Sequence, residues 1–195
     1  MEACRRSKIS ANRWNFLQEC LSDLDSELRS MGSRLLVVRG RATQVLPRLI
    51  REWGVTRLTF EADMEPAGRQ RDLAVETLVS KLGVQVISQN SHLLYKTDDV
   101  KSAGGGHIPL EFQEFLQCVH TLGRPTPPKH PVDRSTLMRC APPKDFSSSQ
   151  FDVPQLPEFG VKDQSAATAR RFWKGGETEA LRRLDLTLKK VSIWK

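Results

Sequence analysis

No apolar run in the 195 residues approaches the ~20 needed for a helix to span a bilayer, so no membrane segment is expected. The four cysteines, Cys4, Cys20, Cys118 and Cys140, form no CxxC pair and have no histidine at metal-ligand spacing. A zinc site is therefore not expected. The charges of residues 1–14 are followed by no apolar h-region, so a secretory leader is not expected and a reducing intracellular compartment is. No GxGxxG follows an apolar run, and GxxxxGKS/T is missing, so neither common phosphate cradle is present. The triplet Gly104-Gly105-Gly106 follows no strand and reads as a flexible break.

What is present fits a globular chain with one core-bearing domain and an appendage: 38% hydrophobic and 27% charged residues. The net charge is +7. Residues 170–195 hold eight Lys/Arg (Arg170, Arg171, Lys174, Arg182, Arg183, Lys189, Lys190, Lys195) against three acids, and so account for five of those charges. Such a segment is either a solvated helix face or a contact for DNA or an acidic partner.

Periodicity gives three helix-then-strand units. Trp14, Leu17, Leu21, Leu24, Leu28 and Met31 step by three and four, which marks one helix face; Gly32 stops it, and Arg34-Leu35-Leu36-Val37-Val38 reads as a buried strand. Val45, Leu46, Leu49, Ile50 and Trp53 form the second stripe, with Thr43 as N-cap, Pro47 in the first turn, Gly54 as stop and Arg57–Glu61 as strand. A third helix starts at Pro66, with Leu73, Leu78, Val79 and Leu82 as its apolar positions. Gly83 ends it, and Val84–Ile87 is the third strand. Strands separated by helices run parallel, so the fold class is α/β, a doubly wound parallel sheet. His92–Tyr95 reads as an extension of the sheet edge, and Leu110, Phe112, Phe115, Leu116 and Val119 as a short amphipathic helix. Residues 124–160 are proline-rich and read as an extended linker. A last helix spans about 177–190, and its stripe of Ala180, Leu181, Leu184 and Leu188 needs a partner surface.

Parallel sheets bind ligands at the carboxyl ends of their strands. Glu61, Asp63 and Glu65 gather at one such end, where they can hold a cation, work as acid and base, or pair with Arg69 and Arg71 at a helix N-terminus. Ser91 and His92, adjacent in sequence, read as structural, and Cys20 as a packing residue. No catalytic constellation emerges.

An ordered set of segments resembles one family. It comprises Asn12-Arg13-Trp14-Asn15-Phe16-Leu17, Leu21-Ser22-Asp23-Leu24-Asp25, Ser33 to Gly40, Glu52-Trp53, Leu58 to Asp72, Ser91-His92-Leu93-Leu94-Tyr95, Phe151-Asp152-Val153-Pro154 and Trp173 to Leu181. Together, over residues 11–188, they resemble the cryptochrome/photolyase family in its animal cryptochrome and (6-4) photolyase branch. The resemblance implies an α/β domain at 11–123, an interdomain linker at 124–160 and, from 161, the start of a helical domain that holds FAD. It implies a flavoprotein acting as blue-light receptor or circadian transcriptional regulator, or else as a (6-4) DNA photolyase, in the nucleus and cytoplasm; a stand-alone protein-interaction module is the remaining alternative. The family's opening strand with its WFRxxLRLxDN-type stretch and the strand after it have no counterpart here, and neither do the flavin-cradling helices, so this chain is expected to bind no FAD. Lys96 and Glu111-Phe112 depart from the usual Asp and Thr-Tyr. In the family a pocket of the α/β domain takes an antenna chromophore or docks a clock transcription factor. The residues matching its rim are Glu65, Pro66, Gly68, Arg71 and Asp72. Arg71 either meets that partner or merely pairs with Glu61 or Glu65.

Overall fold

The computed structural model describes residues 10–127, 129–139, 142–159 and 173–192. They fall into two compact units: Gly40–Pro131, and the residues up to Arg39 together with those from Val132 onward.

In Gly40–Pro131 the order is α2 (Ala42–Trp53), β1 (Arg57–Glu61), α3 (Pro66–Ser80), β2 (Gln85–Gln89), α4 (Thr97–Ala103) and α5 (Phe112–Leu122). β1 and β2 pair in parallel, with Leu58 opposite Val86 and Glu61 opposite Gln89, so α3 is the crossover of a βαβ unit. Helix α2 ends where expected: Gly54 takes a left-handed φ of 64° and donates its N–H to the Ile50 carbonyl. The start differs. The N-cap is Arg41, not Thr43, and Pro47 is the sixth residue of the helix, in its second turn, at the cost of one backbone hydrogen bond. The stripe Val45, Leu46, Leu49, Ile50 and Trp53 is buried or half-buried as the periodicity predicts.

The core of this unit is Ile50, Val75, Val79 and Val84, with Leu46, Leu58 and Val86 packed against it. Helix α3 corrects the sequence reading. Leu73 is 64% exposed, while Val75 and Val79 are buried. Gly68, Asp72, Val75 and Val79 step by four, three and four, which is one helix face. That face carries a glycine and an aspartate, so hydrophobic weighting found Val79 on it but missed Val75 and chose Leu73 instead. In α5 the buried residue is Cys118, whereas Leu110 and Phe112 are exposed. His92–Tyr95 forms no strand; it is a series of bends, and the Tyr95 hydroxyl donates to the Gly123 carbonyl at 2.7 Å.

The other unit holds α1 (Ala11–Ser30), α6 (Arg134–Leu137), two 3-10 turns (Ser149–Phe151 and Leu156–Phe159) and α7 (Glu177–Ser192). The run Arg34–Val38 makes no strand ladder. Its polar groups turn instead to the proline-rich segment. Val37 N–H donates to Phe151 O at 2.9 Å, and Leu35 N–H to the Asp25 carboxylate at 2.8 Å. The buried Arg34 guanidinium donates to Phe146 O at 2.9 Å and Ser148 O at 3.3 Å, and it pairs with Asp152. Residues 142–159 are thus pinned by backbone acceptors rather than left as a free linker.

The N-terminus of α7 is built against α1. Glu19 accepts the Gly175 N–H at 2.8 Å, Cys20 Sγ accepts the Gly176 N–H at 3.2 Å, and Asp23 accepts the Thr178 N–H at 3.0 Å. Cys20 is therefore an acceptor as well as a packing residue. Asp23 caps another helix across the chain, and the Thr178 N–H holds its carboxyl below the ordinary range. Gly175 is required here, because an added Cβ would stand 2.3 Å from the Phe16 carbonyl oxygen. Further along α7, Leu181, Leu184 and Leu188 are 53–58% exposed, so the stripe predicted to need a partner has none among the described residues. No described helix is long and apolar enough to cross a membrane.

Candidate functional site

The strand–helix turn after β1 gathers the five rim residues. Glu65 is the N-cap of α3 in an extended conformation (ψ 143°), and Pro66 takes the first helical position, where its missing N–H costs nothing. Glu65 makes no side-chain cap bond; Asp63 closes the turn that leads into α3, its Oδ1 accepting the Glu65 N–H at 2.9 Å. Gly68 lies over this carboxylate so closely that a Cβ would fall 2.0 Å from Asp63 Cγ. Asp72, one turn further, accepts the Asp63 N–H at 3.0 Å.

Arg71 joins the two acids. Its Nε donates to Asp72 Oδ1 at 2.9 Å, and its Nη2 to Asp72 Oδ1 at 2.6 Å and Asp63 Oδ2 at 3.3 Å. Of the three acids that could pair with Arg71, Asp63 does so and Glu61 and Glu65 do not; Asp72 is the added partner. The Asp72 hydrogen bond pushes the Arg71 guanidinium up. Burial, the largest single influence on Asp72, pushes its carboxyl up, but the Asp63 N–H and Arg71 together outweigh it and hold Asp72 below its ordinary value. Arg71 is 53% exposed at its side chain, and its Nη1 has no partner among the described residues.

Glu61 turns away from this cluster. It accepts the Ser91 hydroxyl at 2.5 Å, the Ser91 N–H at 2.7 Å and the His92 N–H at 3.3 Å, and its Oε1 lies 2.5 Å from His92 Nδ1. The Ser91 hydroxyl, the Ser91 N–H and His92 hold its carboxyl down to about 2. Parallel pairing of Glu61 with Gln89 brings the two strand ends together, which sequence spacing alone did not reveal. With Glu61 committed to Ser91 and His92 and Asp63 to Arg71, the three acids do not converge, and no metal-binding group exists among the described residues. A cavity of about 440 Å³ lies along the turn, lined by Glu61, Ala62, Asp63, Met64, Glu65, Arg71 and His92. A larger one of about 900 Å³ borders it and shares Met64 and His92; it was not anticipated.

The basic C-terminal segment is partly neutralised within α7. Glu179 takes Arg182 at 2.7 Å and Arg183 at 2.6 Å, and Asp185 takes Lys189 at 2.6 Å. Arg183 also stacks over Trp173, 4.9 Å from the ring centroid. Arg170, Arg171 and Lys195, three of the eight predicted basic residues, lie outside the described residues, as do Cys4 and Cys140.

A parallel βαβ unit with a hydrogen-bonded turn at the carboxyl end of β1 defines an α/β protein. The DNA photolyase family matches residues 2–132, and the chain belongs to that family. It is 41% identical to Cryptochrome-2 of Gallus gallus and 39% identical to Cryptochrome-1 of Spalax judaei, each over 185 residues. Those matches cover 94% of this chain and 31% of each relative. A cryptochrome structure from Synechocystis superposes with a TM-score of 0.61 at 21% identity, over 91% of this chain and 35% of that one. A class III photolyase from Agrobacterium tumefaciens superposes with a TM-score of 0.55 at 26% identity, over 90% of this chain and 35% of that one. The predicted family and fold class are both borne out.

Members of the family bind FAD. The described residues do not fit that group in the region the resemblance assigns to it. Among the described residues of that region stands one helix, α7, whose apolar side chains are open to solvent, and a single helix cannot enclose a flavin ring system.

Proposed function

We propose that this chain is the protein-docking α/β part of a cryptochrome-type protein, whose whole-length form acts as a blue-light receptor or circadian transcriptional regulator in the nucleus and cytoplasm. The observation that carries this reading is the Arg71 arrangement. Two carboxylates hold the guanidinium in place, and Gly68 leaves room for one of them, that of Asp63. One edge of its donor fork, Nη1, is left for a partner's acceptor. Glu65, Pro66, Gly68 and Asp72 form and brace that rim. The partner is a clock-type transcription-factor domain; an antenna chromophore is the other occupant considered for the rim. Binding of such a domain should be lost in Arg71→Glu with the circular dichroism spectrum unchanged. Undiminished binding by the variant would remove the rim from the interface.

The flavin belongs to other parts of the whole-length protein in this reading. The purified chain should therefore show no visible flavin absorbance after incubation with FAD and gel filtration; stoichiometric flavin would overturn the assignment.

A second reading rests on the family match itself: the whole-length protein is a (6-4) photolyase that repairs UV-damaged DNA. The basic C-terminal segment, with Lys174 and Lys190 exposed, would then contact DNA. DNA binding through it should weaken steeply between low and physiological salt, and a flat salt response would exclude it.

A further inference from the structure

The larger cavity, about 900 Å³, lies wholly within Gly40–Pro131. Its walls are largely apolar: Leu93, Leu94, Tyr95, Ile108, Phe115 and Val119. Leu94 is 76% exposed, Ile108 68% and Phe115 40%, so these side chains line the space without filling it. Leaving such a surface wet is costly, and a concave apolar wall of this size matches small-molecule sites rather than a flat protein interface.

Three cationic or titratable groups border it. Arg69 stands in the first turn of α3 and Lys101 in the last turn of α4. Neither makes an ion pair or side-chain hydrogen bond with any described residue, whereas Arg71, two residues from Arg69, is held by two carboxylates. His92 is the third, its ring oriented by Glu61. The one acid on the wall is Asp98. The charge of the lip is therefore net positive, over an apolar floor.

We propose that this cavity binds a small amphipathic carboxylic acid, its apolar body against Leu93, Leu94, Ile108, Phe115 and Val119 and its carboxylate between Arg69 and Lys101. Apolar burial supplies most of the affinity. The two unpaired cations select the anion over its neutral analogue, and Asp98 opposes it. This site is separate from the Arg71 rim and does not rest on its reading.

The test uses the full chain and dodecanoate, with dodecanol as the neutral comparator, followed by calorimetry. One dodecanoate should bind per chain. Arg69→Gln with Lys101→Gln should weaken it by about fivefold or more, the effect of losing two partly exposed charge pairs. Both residues are exposed, so the fold should survive, which a far-UV melt checks. The double variant should leave dodecanol unaffected, and Asp98→Asn should tighten dodecanoate. Ile108→Trp, which narrows the space, should weaken both ligands. Equal dodecanoate affinity in the double variant, dodecanol binding as tightly as dodecanoate to the wild type, or several molecules adsorbing without saturation at one would each overturn the proposal. Arg71→Glu should leave dodecanoate binding intact, which separates this test from that of the rim.

Discussion

Replacing Gly68 with alanine tests the turn into α3 directly. In an ordinary helix the change would add stability, by about 0.5–1 kcal/mol. Here the new Cβ would lie 2.0 Å from Asp63 Cγ and Oδ2 and 2.6 Å from Asp63 Cβ, so the carboxylate has to leave. Its departure breaks the Asp63–Glu65 N–H bond that closes the turn into α3, worth about 1 kcal/mol, and the exposed contact to Arg71, worth a few tenths of a kcal/mol at most. Residual crowding adds about 1–2 kcal/mol. The net expectation is a loss of about 1–3 kcal/mol, or ~2–12 °C in melting temperature for a chain of this size. Thermal and urea melts followed by far-UV circular dichroism measure it. The decisive comparison is Gly68→Ala in an Asp63→Gly background. With the whole Asp63 side chain gone, its Cβ included, the methyl has room, so the substitution should become neutral or stabilising, and the cycle should show a coupling of about 1 kcal/mol or more. A Gly68→Ala chain as stable as the wild type, or the same loss in both backgrounds, would refute the steric reasoning.

Three further outcomes are expected. Gly175→Ala places a Cβ 2.3 Å from the Phe16 carbonyl, a backbone atom that cannot give way, so α7 should detach from α1; hydrogen exchange at the Thr178 amide should accelerate about tenfold or more. Glu61, held down to about 2 in the folded chain from an ordinary 4.5, contributes stability that is present above about 4.5 and is lost as pH falls toward 2. Glu61→Gln should flatten the pH dependence in that window alone, and an NMR titration of Glu61 midway near 4.5 would contradict the arrangement. Val79→Ala, at a fully buried side chain, should cost ~1.5–3 kcal/mol, while Leu73→Ala, at a side chain 64% exposed, should cost under ~0.5; denaturant melts with the reverse ranking would place α3 the other way round.

Helices α1, α2, α3, α5 and α7, the two paired strands and their parallel direction were legible in the sequence, whereas the short α4 and α6 were not. Spacing by three and four, glycine stops at Gly54 and Gly83, and short apolar runs are local properties, and local properties survive folding. The family was legible too, because it is carried by ordered segments. Where the prediction failed, a distant part of the chain decided. Arg34–Val38 has strand composition, yet a strand needs a neighbour, and its N–H groups found Phe151 O and Asp25 instead. Leu73 is the more hydrophobic residue, but Val75 and Val79 share the face that meets the core.

The same division runs through the site. By itself the sequence determined that Glu65, Pro66, Gly68, Arg71 and Asp72 lie on one strand–helix turn, since they are close neighbours in the chain. It left Glu61, Asp63 and Glu65 as interchangeable partners for Arg71. Only the tertiary structure chose among them: the parallel pairing of β1 with β2 carries Ser91 and His92 to Glu61 and withdraws that acid, while the second turn of α3 and the turn before the helix bring Asp72 and Asp63 to the guanidinium. The apolar cavity has the same origin. Met64, Leu93, Ile108 and Val119 are scattered in sequence, and only the crossover and the two helices after it bring them around one space.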